Sequence, residues 1–88
     1  MSIKEEFDHL LEKLKVQRDE INLKLNLASM EAKEEFGEAE KQWDVLKAKA
    51  AEIADDTKET SEEFIAKAKI VSEELQDAYH RITQRLSD

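Results

Sequence analysis

An apolar stripe with the spacing of an α-helix runs through almost the whole chain. Apolar or small side chains recur every three or four residues from Ile3 to Leu86. If the polar residues at the interruptions of the stripe are counted as members, 23 steps over 83 residues give a mean spacing of about 3.6. Such a period indicates helices that pack along one face. A strict heptad repeat would give 3.5 and a supercoiled zipper, so the pattern favours nearly straight helices in a bundle.

The large members of this stripe form what we call the predicted seam. We expect the seam to be the contact surface of the protein, with alanine filling many of the places between residues 28 and 54. Trp43 lies on the stripe and is interpreted as a core or subunit-contact residue. The seam consists of Phe7, Leu10, Leu14, Ile21, Leu25, Phe36, Trp43, Leu46, Ile53, Phe64, Val71, Leu75 and Ile82.

The composition predicts an all-α protein with one domain, residues 1–88. Charged residues make up 41% of the chain, glycine occurs once and proline is absent, a balance typical of long helices and coiled coils. The 25 large apolar side chains can contribute only about 50 kcal/mol if every one is fully buried. Ordering a chain of this size costs on the order of 100 kcal/mol. We therefore expect self-association to supplement the core.

Capping motifs predict where two of the helices begin. Ser2 and Glu5 fit the S-x-x-E capping box, in which the hydroxyl and the carboxylate each bond a backbone amide of the first turn. Thr60 and Glu63 repeat this pattern ahead of the seam residue Phe64. Between Ile53 and Phe64 the stripe falls on threonines, so we predict a turn near residues 56–60.

Two helical architectures are compatible with these signals. In the favoured one, a coiled-coil-like hairpin, a long helix of about residues 3–56 is followed by a second helix of about 61–87. The first half of the long helix would then lack a partner in its own chain and would pair with another subunit. The alternative is a three-helix bundle with helices of about 3–27, 30–55 and 61–87, which needs a second turn near residues 26–30.

The charge of the chain excludes several classes of partner. The net charge is −8, with −5 of it in residues 31–60, and no basic cluster is present. Nucleic acids and anionic membranes bind proteins through Lys/Arg clusters, so nucleic acid is excluded and membrane association is not expected. The absence of cysteine excludes disulfides but does not fix the compartment. The chain has no apolar leader and no membrane-length segment, so we predict a cytoplasmic protein.

Two acid–histidine pairs are the candidate metal ligands. Glu6 with His9 and Asp77 with His80 have the i, i+3 spacing found in di-iron bundles. However, both histidines fall on the face opposite the stripe, whereas bundle metals lie inside. We therefore predict no metal site, no cofactor, no small-molecule substrate and no enzymatic activity. Tyr79 flanks the stripe, and we expect it to be half-exposed.

Three segments, AKEEF, DDTKETSEEFIAKAK and SEELQDAYHRI, carry a resemblance to known proteins. They are similar to the small, acidic, uncharacterised bacterial coiled-coil proteins sometimes labelled apolipoprotein-like. The resemblance covers most of residues 28–82 and implies a helical hairpin without an assigned activity. In those proteins the spaced aromatic residues are often tryptophan, whereas this chain has Phe64 and Tyr79.

Taken together, the sequence predicts a non-enzymatic structural or protein–protein interaction module that acts through the apolar seam. Its expected partner is another copy of the chain, giving a homo-oligomer, or a helix of another protein. The alternative is a lipid-surface or stress-protective amphipathic protein that folds on contact with an interface. That alternative requires a wide apolar face flanked by Lys and Arg, which the narrow seam does not provide.

Overall fold

A computed structural model describes residues 2–55 and 60–87 of the chain and shows three α-helices. The helices are α1, Ile3–Lys24; α2, Met30–Ala54; and α3, Glu62–Ser87. A single 3₁₀ turn, Leu25–Leu27, follows α1, and the described ranges contain no β-strand. The predicted all-α class is thus confirmed. Of the two architectures, the three-helix bundle is the one found.

The three helices run up, down and up along a molecule of 43 × 22 × 18 Å. Lys69 Nζ of α3 lies 3.1 Å from Glu6 Oε2 near the start of α1, so these two helices are parallel. Arg85 Nη1 near the end of α3 lies 3.0 Å from Glu31 Oε2 near the start of α2, so that pair is antiparallel. α3 packs against both other helices.

The continuous helix expected over residues 3–56 is interrupted at residues 25–29. Leu25–Leu27 tighten into the 3₁₀ turn, and Ala28 then adopts an extended backbone conformation with φ −81° and ψ 156°. Ser29 caps α2 by accepting a hydrogen bond from the Ala32 backbone N–H at 3.2 Å. This cap satisfies an amide that the broken helix would otherwise leave unpaired.

The other two helices begin at serine caps. The Glu5 N–H donates to Ser2 Oγ at 3.2 Å, as the sequence predicts for α1. For α3 the cap is Ser61, not the expected Thr60, because Ser61 Oγ accepts from the Phe64 N–H at 3.1 Å. The Glu63 side chain pairs instead with Lys67 at 3.6 Å. The predicted turn at 56–60 lies, except for Thr60, outside the described residues.

The core is a single apolar cluster to which all three helices contribute. Because α3 contacts two neighbours, it buries a wider face than α1 does. Ser72 is the buried polar residue of this face, and its hydroxyl donates to the Ala68 carbonyl at 2.9 Å. The buried residues of α1 are Phe7, Leu14 and Ile21, and those of α3 are Ile65, Ala68, Ser72, Leu75, Tyr79 and Ile82.

Candidate functional site

The predicted seam lies in the core of its own chain. The partly buried members are Leu10, Leu25, Phe64 and Val71. The first helix, which would be bare in the hairpin, is covered by α3. These residues are therefore used for folding, and a contact surface must be sought elsewhere. The buried members are Phe7, Leu14, Ile21, Phe36, Trp43, Leu46, Ile53, Leu75 and Ile82.

A charged pair connects α1 and α2 at the edge of the core. Arg18 Nε and Nη2 donate to the two carboxylate oxygens of Glu40 at 2.6 and 2.7 Å, and both side chains are 29% exposed. The guanidinium also lies 5.7 Å from the centroid of the Trp43 ring. The hydrogen bond that Arg18 donates to Glu40 raises the pKa of Arg18. The Arg18–Glu40 pair links α1 to α2, and it includes no nucleophilic side chain.

Two buried polar atoms close to this pair have no hydrogen-bond partner among the described residues. They are the Tyr79 hydroxyl and Gln17 Oε1. Tyr79 is completely buried, where the sequence predicts half-exposure. Burial raises the pKa of Tyr79, with a smaller contribution from the Glu40 charge. Tyr79 belongs to the apolar core cluster, so we assign it to the core.

Both candidate metal-binding histidines are exposed. His9 and His80 lie on outward faces of α1 and α3, as their positions on the helical repeat predict. His80 Nε2 lies 3.4 Å from Gln84 Nε2 of the same helix. Glu6, the partner expected for His9, bonds Lys69. Over the described ranges, no three His, Cys, Asp or Glu side chains converge as a metal site would require.

Three large apolar side chains project into solvent where α1 turns into α2. Leu23 is 83% exposed, Leu27 97% and Met30 75%. Isolated exposed apolar residues are normal on protein surfaces, but a cluster rimmed by charges indicates an interaction site. We call Leu23, Leu27, Met30 and the adjacent Leu86 the apolar tip. It is our candidate functional site.

Three members of the apolar tip, Leu23, Leu27 and Leu86, line an open groove of about 540 Å³. Leu23 and Leu27 come from the end of α1 and the turn after it, and Leu86 comes from the end of α3, where it is partly buried against the core. The size of the groove falls within the range of pockets that take up small ligands or side chains of a partner. Lys24, Ala28, Ser29 and Arg85 complete the lining.

The charges around the apolar tip balance, unlike those of the chain as a whole. Arg85 bonds Glu31 at 3.0 Å and Glu35 at 2.9 Å, which ties the end of α3 to the start of α2. Residues 20–35 and 81–87, the described part of this end, have no net charge and Asp88 adds one negative charge, although the chain as a whole carries −8. The four acidic residues of the two ranges are Glu20, Glu31, Glu34 and Glu35, and the four basic residues are Lys24, Lys33, Arg81 and Arg85.

The other large apolar residues on the described surface are isolated. Val16, Val45 and Ile70 are each about half-exposed and lie on different helices. The groove beside Val16, between α1 and α3, is lined otherwise by polar residues, among them Glu12, Lys13 and Glu20. The apolar tip is therefore distinguished by clustering. The sequence feature that could have identified the apolar tip is a group of three large apolar residues near Ser29 that do not belong to the stripe, at positions 23, 27 and 30.

Comparisons with known proteins leave the chain without an identified relative. No family model, curated protein or solved structure matches it. Among the described residues, no helix combines the length and apolar character needed to cross a lipid bilayer.

Proposed function

We propose that this protein is a non-enzymatic structural or protein–protein interaction module, and that its contact surface is the apolar tip. The observation that carries the proposal is the exposure of Leu27 beside Leu23 and Leu86, around one groove. This differs from the surface expected from the sequence, because the seam is occupied by the bundle core. The proposed class of function is the one expected from the sequence, but the proposed contact surface is the apolar tip and not the seam.

The energetics of the tip favour a protein contact. Each large apolar side chain that a partner covers contributes about 2 kcal/mol, and a few such anchors supply most of the affinity in many interfaces. Leu23, Leu27 and Met30 retain most of their surface for that purpose. The charged rim formed by Lys24, Glu31 and Arg85 provides the polar surroundings usual for a protein interface.

A photo-crosslinking experiment in cells tests this function. A photoreactive amino acid replaces Leu27 in one variant and Val45, an exposed residue on the middle of α2, in the control. We expect a discrete protein adduct from position 27 and little or none from position 45. The absence of an adduct at position 27, or equal adducts at both positions, would contradict the proposal.

A vesicle experiment tests the alternative, a lipid-surface or stress-protective role. Interfacial helices need a surplus of Lys and Arg beside their apolar face, and the apolar tip has equal numbers of acids and bases. That role predicts sedimentation with phosphatidylglycerol vesicles that is lost when Leu27 becomes Gln. We also propose a cytoplasmic location, since a chain without cysteine suits a reducing compartment.

A further inference from the structure

We propose that the partner seated on the apolar tip is a second copy of this chain, docked end to end about a twofold axis. This inference rests on the proposed function, because it names the partner of the same surface. In a twofold dimer each copy uses the same patch, so the patch must be complementary to itself in shape and in charge. The apolar tip meets both requirements.

The shape requirement is met because the tip contains both a projection and a groove. Leu27 is almost fully exposed at the turn, and Met30 projects nearby at the start of α2. The groove between Leu23 and Leu86 opens on the same end of the molecule. A twofold axis can therefore place the Leu27 side chain of each copy over the groove of the other.

The charge requirement is met because this end of the molecule is close to neutral: residues 20–35 and 81–87 balance, and Asp88 adds a single negative charge. Two copies of a chain with a net charge of −8 repel one another, and the repulsion is smallest where acids and bases balance. Arg85 is already paired with Glu31 and Glu35 inside each copy, so it brings no unpaired charge into the contact. Lys24 on the groove wall remains available to an acidic rim residue of the facing copy.

The same charges disfavour other binding partners for the apolar tip. Anionic lipid surfaces and nucleic acids attract Lys/Arg clusters, whereas here four acidic residues accompany four basic ones. A strongly basic protein would be attracted to the acidic middle of the chain, where residues 31–60 carry −5, more than to the tip. A second copy of the chain fits the nearly neutral tip best.

Sedimentation equilibrium of the purified full chain tests the proposal, using two matched double variants. Leu23→Gln with Leu27→Gln removes two exposed apolar side chains from the tip. Val45→Gln with Ile70→Gln removes two exposed apolar side chains from elsewhere. All four positions are at least half-exposed, so circular dichroism should show the same helix content in both variants as in the unchanged protein.

Over protein concentrations from about 1 µM to about 1 mM we expect reversible dimerisation, since dissociation constants of weak to moderate affinity lie in this range. The tip variant should raise its dissociation constant at least about tenfold, since two anchor side chains per copy are lost. The control should change it less than about twofold. X-ray scattering of the dimer should give a maximum dimension near twice the 43 Å length of one copy.

Three results would overturn the second-copy proposal. They are a monomer throughout the range, a dimer that the tip variant does not weaken, and a monomer that binds phosphatidylglycerol vesicles through the tip. If the purified chain is monomeric while position 27 crosslinks a different protein in cells, this inference fails and the proposed function survives. If position 27 gives no adduct in cells, the proposed function fails as well.

Discussion

At the scale of single residues, Tyr79 carries an energetic cost that one substitution can remove. Its hydroxyl is buried and has no partner among the described residues, and such a group typically costs about 1–3 kcal/mol. Tyr79→Phe keeps the ring and deletes the hydroxyl, so we expect the free energy of unfolding in urea at neutral pH to rise by up to about 1 kcal/mol. A clear loss of stability would instead reveal a hydrogen-bond partner, such as a buried water.

The same residue makes stability depend on pH in alkaline solution. Burial raises the pKa of Tyr79 in the folded state above its usual value, which is about 10 in unfolded chains. The free energy of unfolding therefore keeps its full value with respect to Tyr79 below pH ~10. Above that pH it falls by up to about 1.4 kcal/mol per pH unit, because the unfolded chain deprotonates before the folded one. Tyr79→Phe should lack this loss. Because the chain has one tyrosine, tyrosinate absorbance follows the titration directly.

Arg18 provides a second prediction, because its contacts need a guanidinium. Lysine cannot make the paired bonds to Glu40 or stack on Trp43 in the same way. We expect Arg18→Lys to lower the free energy of unfolding by about 1 kcal/mol, and a double-mutant cycle with Glu40→Gln to show coupling of similar size. The matched control is the exposed Glu63–Lys67 pair, where Lys67→Gln should cost a few tenths of a kcal/mol at most.

Residue burial was predictable where one helix faces one neighbour and less so where it faces two. On α1 the stripe correctly identifies Phe7, Leu14 and Ile21 as buried. It also selects Leu10, which is only partly buried, and leaves out Leu11, which packs against the core. On α3 the spacing of three or four residues runs from Leu75 through Ala78 to Ile82 and leaves Tyr79 to one side. In the structure Tyr79 is buried and Ala78 is only partly buried. A helix between two others buries a face wider than a single stripe, and spacing alone does not report the number of neighbours.

At the scale of helices, the break after α1 was the main feature that periodicity concealed. A 3₁₀ turn of three residues keeps Leu25 against the core, and Ala28 and Ala32 resume the expected spacing. The stripe therefore continues in sequence although the chain reverses in space. The local signal was Ser29, since serine favours the first position outside a helix over its interior. The apolar residues around it belonged to no stripe, and so the candidate site was missed.

The start of α3 gives a prediction at this scale, because two adjacent hydroxyl residues compete for the capping role. Ser61 Oγ accepts from the Phe64 amide at 3.1 Å, whereas the Thr60 hydroxyl donates to the Glu52 carbonyl at 3.4 Å. Ser61→Ala should lower the free energy of unfolding by about 1 kcal/mol, the usual value of a lost cap. Thr60→Ala should cost less than half as much. A larger effect at Thr60 would show that the helix begins one residue earlier.

At the scale of the whole molecule, stability depends on all three helices, because α3 supplies the cover for both others. A chain limited to residues 30–88 keeps α2 and α3 but uncovers the side of α3 that meets α1. We expect this fragment to lose most of its cooperative thermal unfolding by circular dichroism. Adding a peptide of residues 1–29 should restore part of it. A fragment that melts as sharply as the full chain would show that α1 is dispensable for folding.

The parallel pairing of α1 with α3 also bears on the order of events during synthesis. Glu6 and Lys69 meet across 63 residues of chain, so α1 leaves the ribosome well before α3, the helix that covers it. The adjacent helices α2 and α3 need only a short loop closure, which is faster. Until α3 covers it, the apolar face of α1, with Phe7, Leu14 and Ile21, is open to solvent and to any chaperone that recognises amphipathic segments. Translation of the final third thus decides when the nascent chain is protected.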